Sequence, residues 1–249
     1  MRIARVRIGE RTSTAVVRDD RVHLVSGTIF EPGDESGESF ALSEVQFLPP
    51  SEPTKVVAIG VNYKDHAGER TPPSEAQAFL KSPSSLIGAE EAILLPADAQ
   101  NAHLEAEVVA VISRRARDLE ESAVDAHVLG YTAGNDVSER DWQRADLQWW
   151  RAKSSDTFTA VGPWIDTSLT PEQIEVAGLI NGHVQQSSDT SLLIHSVRTC
   201  IARVSRYMTL EPGDLVFTGT PGTTGRIQAG DVCEVRVADM TLRNPVRAR

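Results

Sequence analysis

Cysteine is scarce: Cys200 and Cys233 are the two in 249 residues, and their separation matches no zinc-binding spacing. Cys200 falls in an apolar helical pattern and Cys233 in a strand pattern, so both are expected as buried free thiols. Nothing demands a disulfide. Long apolar runs are missing too: no stretch is long and apolar enough to span a bilayer, and residues 1–11 lack the apolar core of a signal peptide. The expectation is a soluble cytoplasmic protein without a membrane partner. Positive charge is in deficit, with 25 Lys and Arg against 35 Asp and Glu, a formal net charge of -10 and a pI of about 5.1. That balance argues against a nucleic-acid partner, which calls for a basic footprint. It leaves room for an anionic substrate, because a local site can hold Lys and Arg against the global sign. The Gly/Thr-rich loop 219–225 lacks the lysine and spacing of a P-loop. Internal repeats and low-complexity tracts are absent from the sequence.

What is present centres on residues 101–112, NAHLEAEVVAVI. The pattern reads as one β-strand with His103, Glu105 and Glu107 at alternate positions, hence on one face. No Lys or Arg lies between the two glutamates. Adjacent carboxylates repel unless a cation, a proton or solvent separates them, and hard divalent cations favour carboxylate oxygens. An ordinary half-exposed strand with a polar face has the same pattern, so the two readings stand side by side on this segment alone.

Along the chain, residues 2–25 read as short strands in a hairpin or meander, and 31–39 as a surface loop. Pro49-Pro50-Ser51-Glu52-Pro53 marks a boundary between a small N-terminal β region, 1–52, and a main body, 53–249. Residues 55–59 form a buried-type strand, followed by a polar turn with His66 and Glu69 three positions apart. In a helical turn the two share a face, and a carboxylate that orients an imidazole suits a general base; an incidental surface pair has the same spacing. Lys81 sits in a Pro/Ser-rich loop region where it either binds an anion or is solvated. Asp136 is a turn residue or a third carboxylate ligand. A helix N-capped by Ser138 would put Arg140 and Gln143 on one face. Three of the four tryptophans lie in 142–150, beside Lys153, which suits the wall of a pocket or a structural cluster. Residues 176–186 form a hairpin around Asn181-Gly182, 191–210 the best amphipathic helix, and 230–237 the last strand.

In order, the chain carries Gly60-Val61-Asn62-Tyr63 with His66 and Glu69, then Phe79-Leu80-Lys81 and His103-Leu104-Glu105-Ala106-Glu107. It continues with residues 134–143 (GNDVSERDWQ), 153–158 (KSSDTF), Gly162-Pro163-Trp164, 210–214 (LEPGD) and Thr218-Gly219-Thr220-Pro221. Taken as an ordered set covering nearly everything after residue 54, these motifs resemble the fumarylacetoacetate hydrolase superfamily. The resemblance implies a mainly β fold with α elements, a mixed β-sandwich roll, usually as a homodimer. It implies Mg²⁺ or Mn²⁺ on Glu105, Glu107 and Asp136. It implies His66 and Glu69 as a water-activating dyad on a lid, and Lys153 against the substrate carboxylate or the developing enolate. Tyr63, Lys81, Arg140, Gln143 and Thr220 would be lesser substrate contacts. The short N-terminal region and the close spacing of the dyad are similar to the smaller acylpyruvate hydrolase and oxaloacetate decarboxylase branch.

The expected reaction is therefore metal-dependent hydrolysis of a C–C bond in an acylpyruvate-like 2,4-dioxo acid, through a metal-stabilised enolate. The same enolate chemistry also serves decarboxylation or isomerisation of oxaloacetate or 2-hydroxymuconate-type dioates in aromatic catabolism. A metabolite-binding protein without catalysis on this fold is the third alternative.

Overall fold

The computed structural model describes residues 1–68 and 71–249. Charged and apolar residues alternate along strand Arg2–Ile8, which pairs antiparallel with Arg11–Arg18, itself paired with Arg21–Gly27, as a meander. Asp19 and Asp20 both take positive φ in the tight turn between the second and third strands, a conformation that short polar side chains tolerate. Where a loop is expected over 31–39, the chain forms a fourth strand, Pro32–Ala41. It is the exposed edge of the sheet, so its polar composition reflects position rather than irregular backbone.

This meander is sewn directly into the main body. Ile3 pairs with Ile165, and one twelve-stranded sheet runs from Pro32–Ala41 through Arg2–Ile8, Thr159–Asp166, Val128–Asp136, Ala106–Ile112 and Leu215–Phe217 to Val56–Gly60 and Gln77–Lys81. A five-stranded sheet faces it, built on Glu175–Ile180, His183–Asp189, Val232–Val237 and Met240–Ala248. Met240–Ala248 is a strand beyond the expected last one. Ala106, Val108, Ala110 and Ile112 share a core with Val176, Val235, Val237 and Leu242 of the second sheet. The other face, with Val109 and Val111, packs with Val56, Ala58, Val161 and Phe217. Complete burial of the valine, isoleucine, leucine and phenylalanine side chains among these contributes on the order of 1.5–3 kcal/mol each, and the central strand gains on both faces.

The main helix, Val197–Tyr207, is shorter than expected at both ends. Ser196 caps it by accepting the Thr199 N–H at 3.1 Å, and Leu210 instead exchanges backbone hydrogen bonds with Ala116. Cys200 and Cys233 are buried free thiols, and burial pushes both up to about 12.

Gly134 pairs with Glu107 across the sheet, and a Cβ there would lie 2.5 Å from side-chain atoms of both Phe217 and Val109. Gly134→Ala is expected to cost about 1–3 kcal/mol by overpacking, read as a lower urea midpoint with unchanged slope. An unchanged midpoint would show that Phe217 repacks freely.

Candidate active site

The single strand expected over 101–112 is broken at Glu105. Ala102–Leu104 joins a small sheet with Ser138–Glu139 and Gly225–Arg226, whereas Ala106–Ile112 enters the large sheet. At the break, the Asn135 side-chain oxygen accepts the Glu105 N–H at 3.1 Å, and the Asp136 N–H donates to the Glu105 carbonyl at 3.0 Å. The bend gathers Glu105, Glu107 and Asp136 so that ligand oxygens of all three lie within 4.8 Å of one another. His103 does not join them. It turns to Asn101 and Thr224, because the break removes the regular alternation that would align it with the glutamates.

Charge absent from this stretch of sequence arrives from elsewhere in the fold. Lys153, on the short helix Trp150–Ser154, places Nζ 2.6 Å from Glu105 Oε2 and 2.5 Å from Asp136 Oδ2. Lys81 Nζ lies 2.5 Å from Asp136 Oδ1, and Arg140 donates to Glu105 Oε1. Glu107 accepts the Gly219 N–H at 2.6 Å and has no ion pair among the described residues. Protonation follows this partition. Burial alone would raise Glu105, but Lys153 and Arg140 outweigh it and hold the carboxyl well below the usual range. Glu107 is pushed well above that range by burial, then by Asp136 and Glu105. Burial works against the Lys153 charge, yet Asp136 and Glu105 raise its pKa; burial dominates at Lys81 and lowers it.

These residues fit a hard divalent cation. The donor set is all oxygen and buried, the Glu107 carboxyl pairs with no cation among the described residues, and Asp136 Oδ1 receives no aligned hydrogen bond despite its proximity to Lys81.

His66 lies on the short helix Lys64–Ala67, with Nδ1 2.7 Å from the Gly222 carbonyl. A carbonyl only accepts, so Nδ1 carries a proton and is the donor in this contact. Glu69, the expected dyad partner, lies outside the described residues.

A cleft of about 640 Å³ holds His66, the three carboxylates and Lys153, with Arg140, Gln143 and Thr220 on its walls. Arg140 donates to the Gln143 side-chain oxygen at 2.9 Å, as their shared helix Arg140–Ala145 permits. Glu139, not Ser138, caps that helix: its longer carboxylate reaches the Trp142 N–H at 2.7 Å, while the Ser138 hydroxyl donates to the Asp136 carbonyl. The Thr220 hydroxyl is committed to the Ala106 carbonyl and to Gln186. Tyr63 and Lys81 do not line the cleft. Tyr63 is buried, its hydroxyl unpartnered among the described residues, and Lys81 stands behind Asp136, donating to the carbonyls of Lys153 and Phe158.

Asn101, Asn135, Gln186 and Thr224 support the site and escape sequence reasoning, since nothing in their local patterns marks them. The Asn101 oxygen accepts from His103 Nε2 at 2.9 Å, leaving Nδ1 to accept the Thr224 hydroxyl at 2.8 Å. The Thr224 oxygen in turn accepts from Arg140 at 3.0 Å, and burial, then Arg140, lowers the His103 pKa. A neutral His103 thus anchors the hydroxyl that helps aim Arg140 at Glu105.

Residues 55–247 match the family described as fumarylacetoacetate (FAA) hydrolase C-terminal. The chain belongs to this family. Residues 1–50 match an Rv2993c-like N-terminal family. Protein Rv2993c of Mycobacterium tuberculosis is 43% identical over 217 residues, covering 85% of this chain and 82% of that protein. The mitochondrial oxaloacetate tautomerase FAHD2A of Bos taurus is 39% identical over 191 residues, 74% of this chain and 61% of that longer protein. Among solved structures, a 5-carboxymethyl-2-hydroxymuconate delta-isomerase from Mycobacterium smegmatis superposes with a TM-score of 0.93 at 39% identity, over 100% of both chains. A maleylpyruvate hydrolase from Sphingobium sp. SYK-6, in complex with manganese(II) and pyruvate, superposes with a TM-score of 0.84 at 25% identity, over 100% of this chain and 99% of that one. The family relatives are thus enzymes of isomerase, hydrolase and tautomerase type, on the same mainly β fold as this chain. Among the described residues no helix is long and apolar enough to cross a membrane.

Proposed function

We propose that the protein is a divalent-metal-dependent enzyme that cleaves a C–C bond in an acylpyruvate-like 2,4-dioxo acid by hydrolysis, with Mg²⁺ or Mn²⁺ as cofactor. The observation that carries this reading is the meeting, in one cleft, of the His66 imidazole with a buried three-carboxylate set backed by Lys153. Glu105, Glu107 and Asp136 would hold the cation. When bound, it would polarise the 2-oxo acid and balance the negative charge that develops beside it.

The chain's own groups supply the rest. His66 takes a proton from water, and the resulting hydroxide attacks the distal ketone carbon. The bond between that carbon and C3 breaks, and its electron pair passes to C3 as a pyruvate enolate. The His66 proton then returns to C3, giving pyruvate and a carboxylic acid. Lys153 and Arg140 put positive charge where the substrate carboxylate and the enolate oxygen require it. Gly222, through its carbonyl, holds the imidazole in the tautomer this requires.

A second reading is keto–enol conversion or double-bond isomerisation of an oxaloacetate-type dioate. The tautomerase and isomerase relatives, each 39% identical, favour it. Here the same base takes a proton from C3 and delivers it to the C2 oxygen, giving the enol, or to a carbon further along the conjugated chain, shifting the double bond, without attack by water.

The deciding experiment incubates EDTA-stripped protein, with and without Mg²⁺ or Mn²⁺, with acylpyruvates and with oxaloacetate. Metal-restored release of pyruvate from acylpyruvates supports hydrolysis; enol conversion of oxaloacetate without cleavage of acylpyruvates replaces it with the second reading. His66→Ala is expected to lower kcat by about 10²–10⁴-fold while metal stoichiometry stays at the wild-type level. Wild-type turnover in that variant would remove His66 as the base.

A further inference from the structure

Beside the catalytic cleft runs a second depression of about 750 Å³, and the two share Gly60, Val61, Phe79 and Trp149 as walls. Its far side is formed by Leu147 and Trp150, which are 96% and 70% exposed. Water-facing leucine and tryptophan side by side in a short segment are costly to leave bare, and such patches mark binding sites. The shared wall is built: the Phe79 and Trp149 rings meet edge to face at 5.2 Å, and the Lys153 ammonium lies 4.9 Å from the Phe79 centroid. One ring therefore touches both the charged centre and the apolar groove. A four-carbon dioate has no part that could use this groove, whereas a molecule with an anionic head and an apolar tail matches both halves.

We infer that the groove walled by Phe79, Leu147, Trp149 and Trp150 is a specificity subsite for an apolar, preferably aromatic, substituent on the end of the substrate remote from its 2-oxo acid. This rests on the 2-oxo acid reading of the cleft and adds the class of acyl group to it. Aromatic walls favour a planar ring by stacking as well as by burial.

The test is a binding measurement that needs no turnover. Mg²⁺-loaded protein is titrated with 2-oxo-4-phenylbutanoate and with 2-oxobutanoate, neither of which has the second ketone required for cleavage, by calorimetry and tryptophan fluorescence. The phenyl compound is expected to bind about tenfold or more tightly, as burial of a ring predicts, and to perturb the fluorescence. Leu147→Ser and Trp150→Ser, which alter only the groove, are expected to bring the affinity ratio towards one. Equal affinity for the two ligands, or a preference that survives both substitutions, would overturn the subsite. So would concentration-dependent self-association abolished by Leu147→Asp, which would assign the groove to a second copy of the chain. Tail preference without turnover of any acylpyruvate upholds the subsite and removes the hydrolase reading. Turnover indifferent to tail size does the reverse.

Discussion

Replacing Lys153 with methionine lowers the melting temperature of the metal-free protein by roughly 6–20 °C, and Mn²⁺ recovers more of that loss than it adds to the wild type. The first half follows from what the ammonium leaves behind. Glu105 and Asp136 are each less than 5% exposed, and Lys153 is the group that contacts both. Breaking a buried charge pair by removing one member costs about 3–5 kcal/mol, and in a chain of this length each kcal/mol moves the midpoint by about 2–4 °C. Lys81 and Arg140 still contact Asp136 and Glu105, which favours the low end. The second half follows from mass action: a cation that binds only the folded site adds stability, and more so where it replaces missing charge. Scanning calorimetry of both proteins in EDTA and in Mn²⁺ reads all four values. Equal midpoints in EDTA would mean that Lys153 is not a structural counter-ion.

The second large effect concerns Glu107. Its pKa is raised in the folded state by burial and by its two carboxylate neighbours, so the folded protein binds a proton that the unfolded chain releases near 4.5. Stability from this group is fully present below the unfolded value and is lost as pH rises through the folded value. The slope reaches about 1.4 kcal/mol per pH unit within that window. Metal-free wild type is therefore expected to weaken from acidic pH towards neutrality, and Glu107→Gln, which keeps the shape and never ionises, to lack that slope. The same proton must leave when a cation binds. Mn²⁺ titrations in buffers of different ionisation enthalpy should show proton release from wild type and none, with weaker binding, from Glu107→Gln. A flat pH dependence in wild type would mean that Glu107 is already ionised.

Much of this site was legible because its residues lie in ordered motifs with distinctive spacing. Glu105, Glu107 and Asp136 bring ligand oxygens within 4.8 Å of one another, and His66 and Lys153 line the same cleft. Local alternation failed at Glu105, where a long-range bond from Asn135 bends the strand and turns His103 away. It failed again at Pro32–Ala41, because a polar sheet edge and a loop have the same composition. Helix length was overread, since apolar periodicity continues past Ser196 and Tyr207 although the backbone hydrogen bonds there go elsewhere. Neutralisation of the carboxylates by Lys81, Lys153 and Arg140 could not be read locally, as these side chains come from three distant segments.

The pairing of Ile3 with Ile165 has a consequence for synthesis. At about 5–20 residues per second, the first strand leaves the ribosome roughly 8–30 s before its partner. The Val6–Phe47 pairing is available early, so one half of that strand is covered soon after it emerges. Its beginning, around Ile3, stays an open β-edge on the nascent chain until Thr159–Asp166 arrives. Arg2, Arg5 and Arg7 punctuate this edge with charge, the device that discourages two waiting chains from pairing with each other.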